Sequence, residues 1–176
     1  MEERIINLEY VEEHEVDEVA VRVKAIILNS NKELLLGYSY GTYQFPGGHI
    51  EADEPLIPAL NRELKEETGL DFDLENKDLK PFYSIVHYNR NYRGTGKVRK
   101  NIIYYYFLKT DTEYDKDNWN LDEVEQAGDF TLLYTPFNQV EKLLIDSIPD
   151  NEINKIIVEE MLEVLEVLKT RAVIVF

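Results

Sequence analysis

The sequence predicts a layered α/β domain, and three observations predict it. Runs of alternating or clustered apolar residues read as strands, three stretches repeat apolar residues at helical spacing, and the two kinds of segment interleave along the chain. With 176 residues, 44% of them hydrophobic, the chain is long enough for one sizeable core and short for two typical domains. Residues 1–176 are therefore read as one domain.

Each element follows from a local pattern. Residues 19–28, VAVRVKAIIL, alternate apolar and polar before merging into an apolar run, and NSNK separates them from ELLLGY at 33–38. This reads as a hairpin. A short loop leads to Tyr43, Gln44 and Phe45 and then to Pro46-Gly47-Gly48, where two glycines permit a sharp turn that ends the strand. From Ile57 to Thr68 the pattern turns helical: Ile57, Leu60, Leu64 and Thr68 fall in one stripe, and Gly69 supplies a C-terminal stop. Pro55 and Pro58 crowd the start of that stripe, so the regular helix is expected to begin near Ile57 or Pro58. FYSIVHY at 82–88 and NIIYYYFL at 101–108 read as strands joined by a basic, Gly-containing connection. After an acidic loop, DFTLLY suggests another strand, and Thr135-Pro136 opens a helix through Ile145. A last helix over about 152–168 carries Ile153, Ile156, Ile157, Val164, Leu165 and Leu168 on one broad face. The terminal AVIVF, 172–176, either closes a core or pairs with an edge strand of a second copy, which leaves a homodimer possible.

Composition narrows the function classes. Against 35 Asp and Glu stand 19 Lys and Arg, a formal net charge of -16, so the molecular field argues against binding duplex nucleic acid. No stretch approaches the roughly 18–20 apolar residues of a spanning helix, and MEERIINLEY lacks the apolar core of a signal peptide. The expectation is a cytoplasmic protein with no membrane partner. Zero Cys excludes disulfides, thiolate zinc sites and cysteine nucleophiles, while three His (His14, His49, His87) leave little for an imidazole-rich centre. Any metal is then expected to be a hard ion held by oxygen.

The informative stretch is 48–70, GHIEADEPLIPALNRELKEETGL. On a helix Glu63, Glu66 and Glu67 stand at i, i+3 and i+4, so their carboxylates emerge on one arc beside the apolar stripe, with neighbouring Cβ atoms roughly 5–6 Å apart. Three convergent carboxylates suit Mg²⁺ or Mn²⁺, and a carbonyl of the preceding glycine turn suits the same ions. A solvated acidic face has the same spacing, so the carboxylates alone do not decide the matter.

The whole segment resembles the signature of the Nudix hydrolase family, G-x5-E-x7-R-E-U-x-E-E-x-G-U, where U is a bulky aliphatic residue. Gly48, Glu54, Arg62, Glu63, Leu64, Glu66, Glu67, Gly69 and Leu70 match every defined position. The resemblance implies an α/β/α sandwich around a mixed sheet and hydrolysis of a small-molecule nucleoside diphosphate derivative. It further implies that Glu63, Glu66 and Glu67 bind Mg²⁺ (or Mn²⁺) with the carbonyl of Gly47. Arg62 would orient the glutamates, Glu54 would buttress the loop before the helix, and Gly48 and Gly69 would support the site. The chemistry agrees, because a pyrophosphate repels an anionic nucleophile until cations neutralise it; they also acidify water, a glutamate accepts the proton, and attack on phosphorus proceeds in line. The alternative is a Nudix-fold binding module without turnover, which has no need of the complete glutamate set. Two departures from the family pattern stand out: Asp53 lies where relatives often carry Gly, and LLLGY ends without the basic residue many place there.

Candidates for the substrate contacts come from charge. Between Asp78 and Asp111 the chain holds bases and no acid. From that interval Arg90, Arg93, Arg99 and Lys100 are the candidates for phosphate contacts, and Tyr88 for stacking on a base; an ordinary solvated hairpin loop is the competing reading. From the acidic run Asp111–Asp129, Glu125 is the candidate for an extra metal ligand or base. His49 and His87 are assigned no role.

Overall fold

The computed structural model describes residues 1–74, 78–121, 123–127, 130–148 and 152–170. Its elements in chain order are β1 (Glu2–Ile6), β2 (Glu18–Leu28), β3 (Glu33–Ser39), β4 (Thr42–Gln44), α1 (Leu56–Thr68), β5 (Tyr83–Asn89), β6 (Arg99–Lys109), α2 (Glu123–Ala127), β7 (Thr131–Pro136), α3 (Phe137–Asp146) and α4 (Glu152–Thr170). The strands and helices expected from periodicity are present, with ends shifted by no more than about two residues. Two elements were not expected. β1 is an exposed segment, EERII, with no apolar alternation; it is a strand because it pairs in parallel with β5, from Glu2↔Tyr83 to Ile6↔His87. The short α2 lies in the acidic run read as a loop, and Glu125 falls on it with its side chain outside the described residues, as is the whole of AVIVF.

The strands form one mixed sheet in the order β1-β5-β6-β2-β3-β4, with β7 also paired to β3. β2 and β6 are its spine, parallel and in register from Glu18↔Arg99 to Leu28↔Lys109. Successive side chains on a strand point to opposite faces. On one face Val23, Ala25, Ile27, Tyr106 and Leu108 pack with Leu60 and Leu64 of α1. On the other, Ile26, Leu28, Ile103 and Tyr105 pack with Val140 and Leu144 of α3 and with Val158, Met161 and Leu165 of α4. Helices thus cover both faces, and the architecture is the α/β/α sandwich that the resemblance implied. Among the described residues no helix is long and apolar enough to cross a membrane.

α1 starts at Leu56, one residue ahead of the expected start, with Pro55 as N-cap. Both prolines fit because the first helical bond runs from Ala59 N–H to the Pro55 carbonyl at 3.1 Å. Pro58 therefore sits in the first turn, where an N–H has no intrahelical acceptor to lose. The helix ends at Gly69, whose φ of 72° is left-handed and whose N–H meets the Lys65 carbonyl at 2.9 Å. The acidic run then returns to this end: Asp115 N–H donates to the Thr68 carbonyl at 2.8 Å and Asn120 N–H to the Glu66 carbonyl at 3.0 Å.

Gly69→Ala is expected to destabilise the protein by more than the roughly 1–2 kcal/mol of a left-handed alanine, because its Cβ would run into the Asp115 carbonyl oxygen. Gly41→Ala, at φ 77° with open space around it, is expected to show the conformational part alone. Urea unfolding of the two variants measures the difference.

Candidate active site

After β4 the chain turns back along the edge of β2 opposite β6. Ala25 N–H donates to the Pro46 carbonyl at 2.9 Å, Val23 N–H to Gly48 at 3.0 Å, and Ile50 N–H to Val21 at 3.1 Å. This ribbon approaches β2 so closely that a Cβ on Gly47, at φ 118°, would strike the Val23 carbonyl oxygen, while one on Gly48 would strike the Glu63 carboxylate. Glycine is required at Gly47, where the obstacle is backbone and φ is left-handed, whereas at Gly48 the Glu63 carboxylate would have to move. The approach also brings Gly47 N–H to Glu67 Oε2 at 2.6 Å, a buried bond between the ribbon and α1.

Arg62 joins the same two elements from the other side of the helix turn. Its Nε and Nη2 hold the Glu54 carboxylate as a fork at 2.9 and 2.8 Å, and Nη2 also reaches the His49 carbonyl at 3.0 Å. Its Nη1 reaches Glu63 Oε1 at 2.8 Å and Glu66 Oε2 at 3.1 Å. The bidentate partner is therefore Glu54; Glu66 at i+4 receives a single bond. Glu54 closes its own loop by accepting from Glu51 N–H at 2.9 Å, and the preceding Asp53 is left-handed at φ 62°, a conformation that Asp tolerates better than most side chains. That explains how Asp53 serves where a glycine is common. Bonding to Arg62 holds the Glu54 carboxyl below its usual range. Burial pushes Glu63 upward, against the opposing pull of Arg62.

The opposite side of the ribbon is cationic. Lys24 Nζ donates to the Gly47 carbonyl and, at 3.4 Å, to Gln44 Oε1. Burial holds this ammonium below the ordinary lysine range, although Glu67 and Glu63 favour its charge. Arg22 Nε donates to His49 Nε2 at 2.9 Å. Burial, then Arg22 and Arg99, push His49 down to about 4, so the imidazole is neutral at pH 7. Arg99 and Arg93 lie over the Tyr92 ring, 4.2 and 5.3 Å from its centroid, and both contribute to the positive field at His49.

Of the residues proposed from charge, Arg93 and Arg99 thus face the site region. Tyr88, expected to stack on a base, and Arg90 and Lys100, expected to contact phosphate, are engaged with carboxylates of the N-terminal segment. Arg90 holds Glu15 through Nη1 and Nη2 at 2.6 and 2.9 Å, Lys100 meets Glu13 at 2.6 Å, and Tyr88 hydroxyl donates to the same Glu13. These carboxylates come from a segment some 75 to 87 residues earlier in the chain, which a local charge count does not register. Arg22, Lys24 and Gln44 were not among the candidates; the signal for the first two was a pair of basic residues at alternate positions of β2.

Among the described residues no three carboxylate or imidazole side chains are gathered into a ready metal cage. Glu63 and Glu66 turn to Arg62, and Glu67 to Gly47. The donors nonetheless suit a hard divalent cation: buried or half-buried carboxylates beside a backbone carbonyl that already attracts the Lys24 ammonium.

The NUDIX domain profile matches residues 18–169. The chain belongs to the Nudix family. It is 30% identical over 109 residues to Nudix hydrolase 10 of Arabidopsis thaliana, covering 61% of this chain and 35% of that one. It is 37% identical over 68 residues to 8-oxo-dGDP phosphatase NUDT18 of Danio rerio, covering 32% and 21%. The chain thus spans about a third or less of these curated relatives. Among solved structures, the E. coli dihydroneopterin triphosphate pyrophosphohydrolase aligns with a TM-score of 0.53 at 16% identity, over 81% of this chain and 94% of that one. The MutT protein of Bacillus halodurans aligns with a TM-score of 0.50 at 22% identity, over 81% and 82%. At these identities the likeness is one of fold. β1 precedes the Nudix-matched segment and widens the sheet by one edge strand.

The Arg62 fork generates a stability prediction for this Nudix helix. Arg62→Lys keeps the charge and loses the planar two-point grip on Glu54, so the variant is expected to be less stable by about 1–2 kcal/mol, read as a lower urea midpoint with an unchanged m value.

Proposed function

We propose that this chain hydrolyses the pyrophosphate bond of a nucleoside diphosphate derivative, with Glu63, Glu66, Glu67 and the Gly47 carbonyl as ligands of Mg²⁺ or Mn²⁺. The observation that carries the reading is the linkage of ribbon and helix: Gly47 N–H on Glu67, Gly48 against Glu63, and Arg62 spanning Glu54, Glu63, Glu66 and the His49 carbonyl. A solvated acidic face needs none of these contacts. Glu67 is 3% exposed, and a carboxylate is retained in such a place when a cation or hydrogen-bond donors meet it.

The bound cation would supply neutralisation of the pyrophosphate charge and a more acidic water at the site. The chain's own residues do the rest. Arg62 and Glu54 hold the carboxylates in orientation, so little reorganisation is left for the moment of reaction. Arg62 opposes the upward push of burial on Glu63. His49, neutral and accepting from Arg22 through Nε2, holds no exchangeable proton at that atom. Arg22, Lys24 and Arg99 reverse the sign of the field locally, so that an anion approaches a chain of net charge -16 at this place.

The test is incubation with Mg²⁺ and a panel of nucleoside triphosphates, dinucleoside polyphosphates, ADP-ribose and nucleotide sugars, followed by measurement of the phosphorylated products. Turnover of at least one compound is expected. Glu66→Gln and Glu67→Gln are each expected to lower kcat/KM by at least about 100-fold, since loss of a residue that only orients a metal ligand gives ~10–100-fold. Mn²⁺ titration followed by electron paramagnetic resonance should show a parallel loss of bound ion. Ligand binding without turnover under every condition would turn the assignment toward a binding module.

A further inference from the structure

Two groups stand out among the cations of this acidic chain. Arg90, Lys97 and Lys100 on the β5–β6 hairpin each grip a carboxylate of the segment 9–18. Arg22, Lys24, Arg93 and Arg99, among the described residues, reach no carboxylate within 4.0 Å. With 35 acids for 19 bases, shortage of acids does not explain this, and the four lie together. Arg22, Lys24 and Arg99 sit at alternate positions of the parallel pair β2 and β6, on the face that carries Ile26 and Ile103 toward α4. Arg93 and Arg99 share the Tyr92 ring, and Arg99 Nε is buried with no hydrogen-bond partner among the described residues.

Glu160 of α4 faces them and is already engaged, while Glu67 and Glu63 act on Lys24 from across the ribbon. Glu160 accepts from the Tyr105 hydroxyl and lies 3.4 Å from His87 Nε2. Beside Arg22, Lys24 and Glu160 is a cavity of about 50 Å³, lined also by Gln44, Phe45 and Tyr105, with Arg93 and Arg99 outside its lining. That volume takes a phosphate-sized group and falls far short of the roughly 300 Å³ at which pockets enclose a drug-sized molecule. The cavity adjoins the Gly47–His49 ribbon through the Lys24 bond to Gly47 and the Arg22 bond to His49, and the glutamates lie across that ribbon.

We infer that Arg22, Lys24 and Arg99, with Arg93 at the rim, form a subsite for a substrate phosphate that is not part of the cleaved bond. The inference rests on the hydrolysis proposed above and narrows its substrate class to compounds with three or more phosphates, in preference to nucleotide sugars or ADP-ribose. A neutral sugar or base seated here would desolvate several unpaired cations without compensation. A phosphate offers acceptors to the arginine forks and to the ammonium together.

Two measurements test it. In EDTA, calorimetric titration with inorganic tripolyphosphate is expected to show binding that weakens about 10-fold in Arg22→Gln and in Arg99→Gln, the loss of one charge-assisted hydrogen bond each. Arg93→Gln, at an exposed position, keeps the test open should a buried variant not fold, and is expected to weaken binding at least twofold. With Mg²⁺, the ratio of kcat/KM for a nucleoside triphosphate or dinucleoside tetraphosphate to that for ADP-ribose is expected to exceed 10 and to fall in the same variants, through KM. Tripolyphosphate affinity unchanged in all folded variants, or ADP-ribose cleaved as well as the polyphosphates, overturns the subsite while leaving hydrolysis in place. Arginine-dependent tripolyphosphate binding without turnover of any compound supports the subsite and sinks hydrolysis instead.

Discussion

The interaction on which the candidate site depends is the grip of one guanidinium on two pieces of chain. Arg62 projects from the middle of α1 and binds Glu54 and the His49 carbonyl in the preceding loop, while its remaining donors hold Glu63 and Glu66 on its own helix. Without it, three glutamates within two turns would repel one another, and burial would drive Glu63 toward its neutral form. The arginine fixes geometry and charge state together. That double role needs the planar fork, since a point charge satisfies one carboxylate well and the rest poorly.

The second constraint is the ribbon at Gly47 and Gly48. Because no side chain stands between them, β2 and α1 approach the same three peptide units from opposite sides. One side presents carboxylates and the other presents Lys24 and Arg22. Gly47 then works in both directions: its N–H meets Glu67 and its carbonyl meets Lys24. In the low-dielectric interior such a chain of opposite charges and aligned dipoles is mutually reinforcing, which accounts for how a buried lysine and a buried glutamate are both tolerated within one small region.

Much of this was legible in the sequence. The apolar period of α1 placed Glu63, Glu66 and Glu67 on one arc, the glycine pair marked the turn, and the spacing of Glu54 and Arg62 around them identified the family. The substrate side was less legible, for a physical reason. VAVRVKAIIL alternates, and an alternating strand reads as one face buried and one in water; here α4 and the ribbon cover the second face, so Arg22 and Lys24 become site residues. Conversely, Arg90 and Lys100 looked available because no acid stands near them in the chain. Their partners Glu13 and Glu15 arrive through the pairing of the N-terminal segment with the β5–β6 hairpin. Charge density along a sequence carries no information about contacts made across the sheet.

That N-terminal segment also bears on how an anion would find the site. Glu13, Glu15 and Glu18 pair with Lys100, Arg90 and Lys97 of the hairpin, bases that would otherwise compete for a polyphosphate at some distance from the glutamates. With those bases matched, Arg22, Lys24, Arg93 and Arg99 form a cluster beside the ribbon with, among the described residues, no carboxylate within 4.0 Å. In a molecule of net charge -16 the surrounding potential repels anions at long range, and screening at physiological salt limits that repulsion to about 8 Å. Inside that distance a local cationic patch dominates. On the proposed reading the acidic surface and the basic pocket are parts of one arrangement: the first would discourage polyanions elsewhere, and the second would admit one where the carboxylates and their cation would act on it.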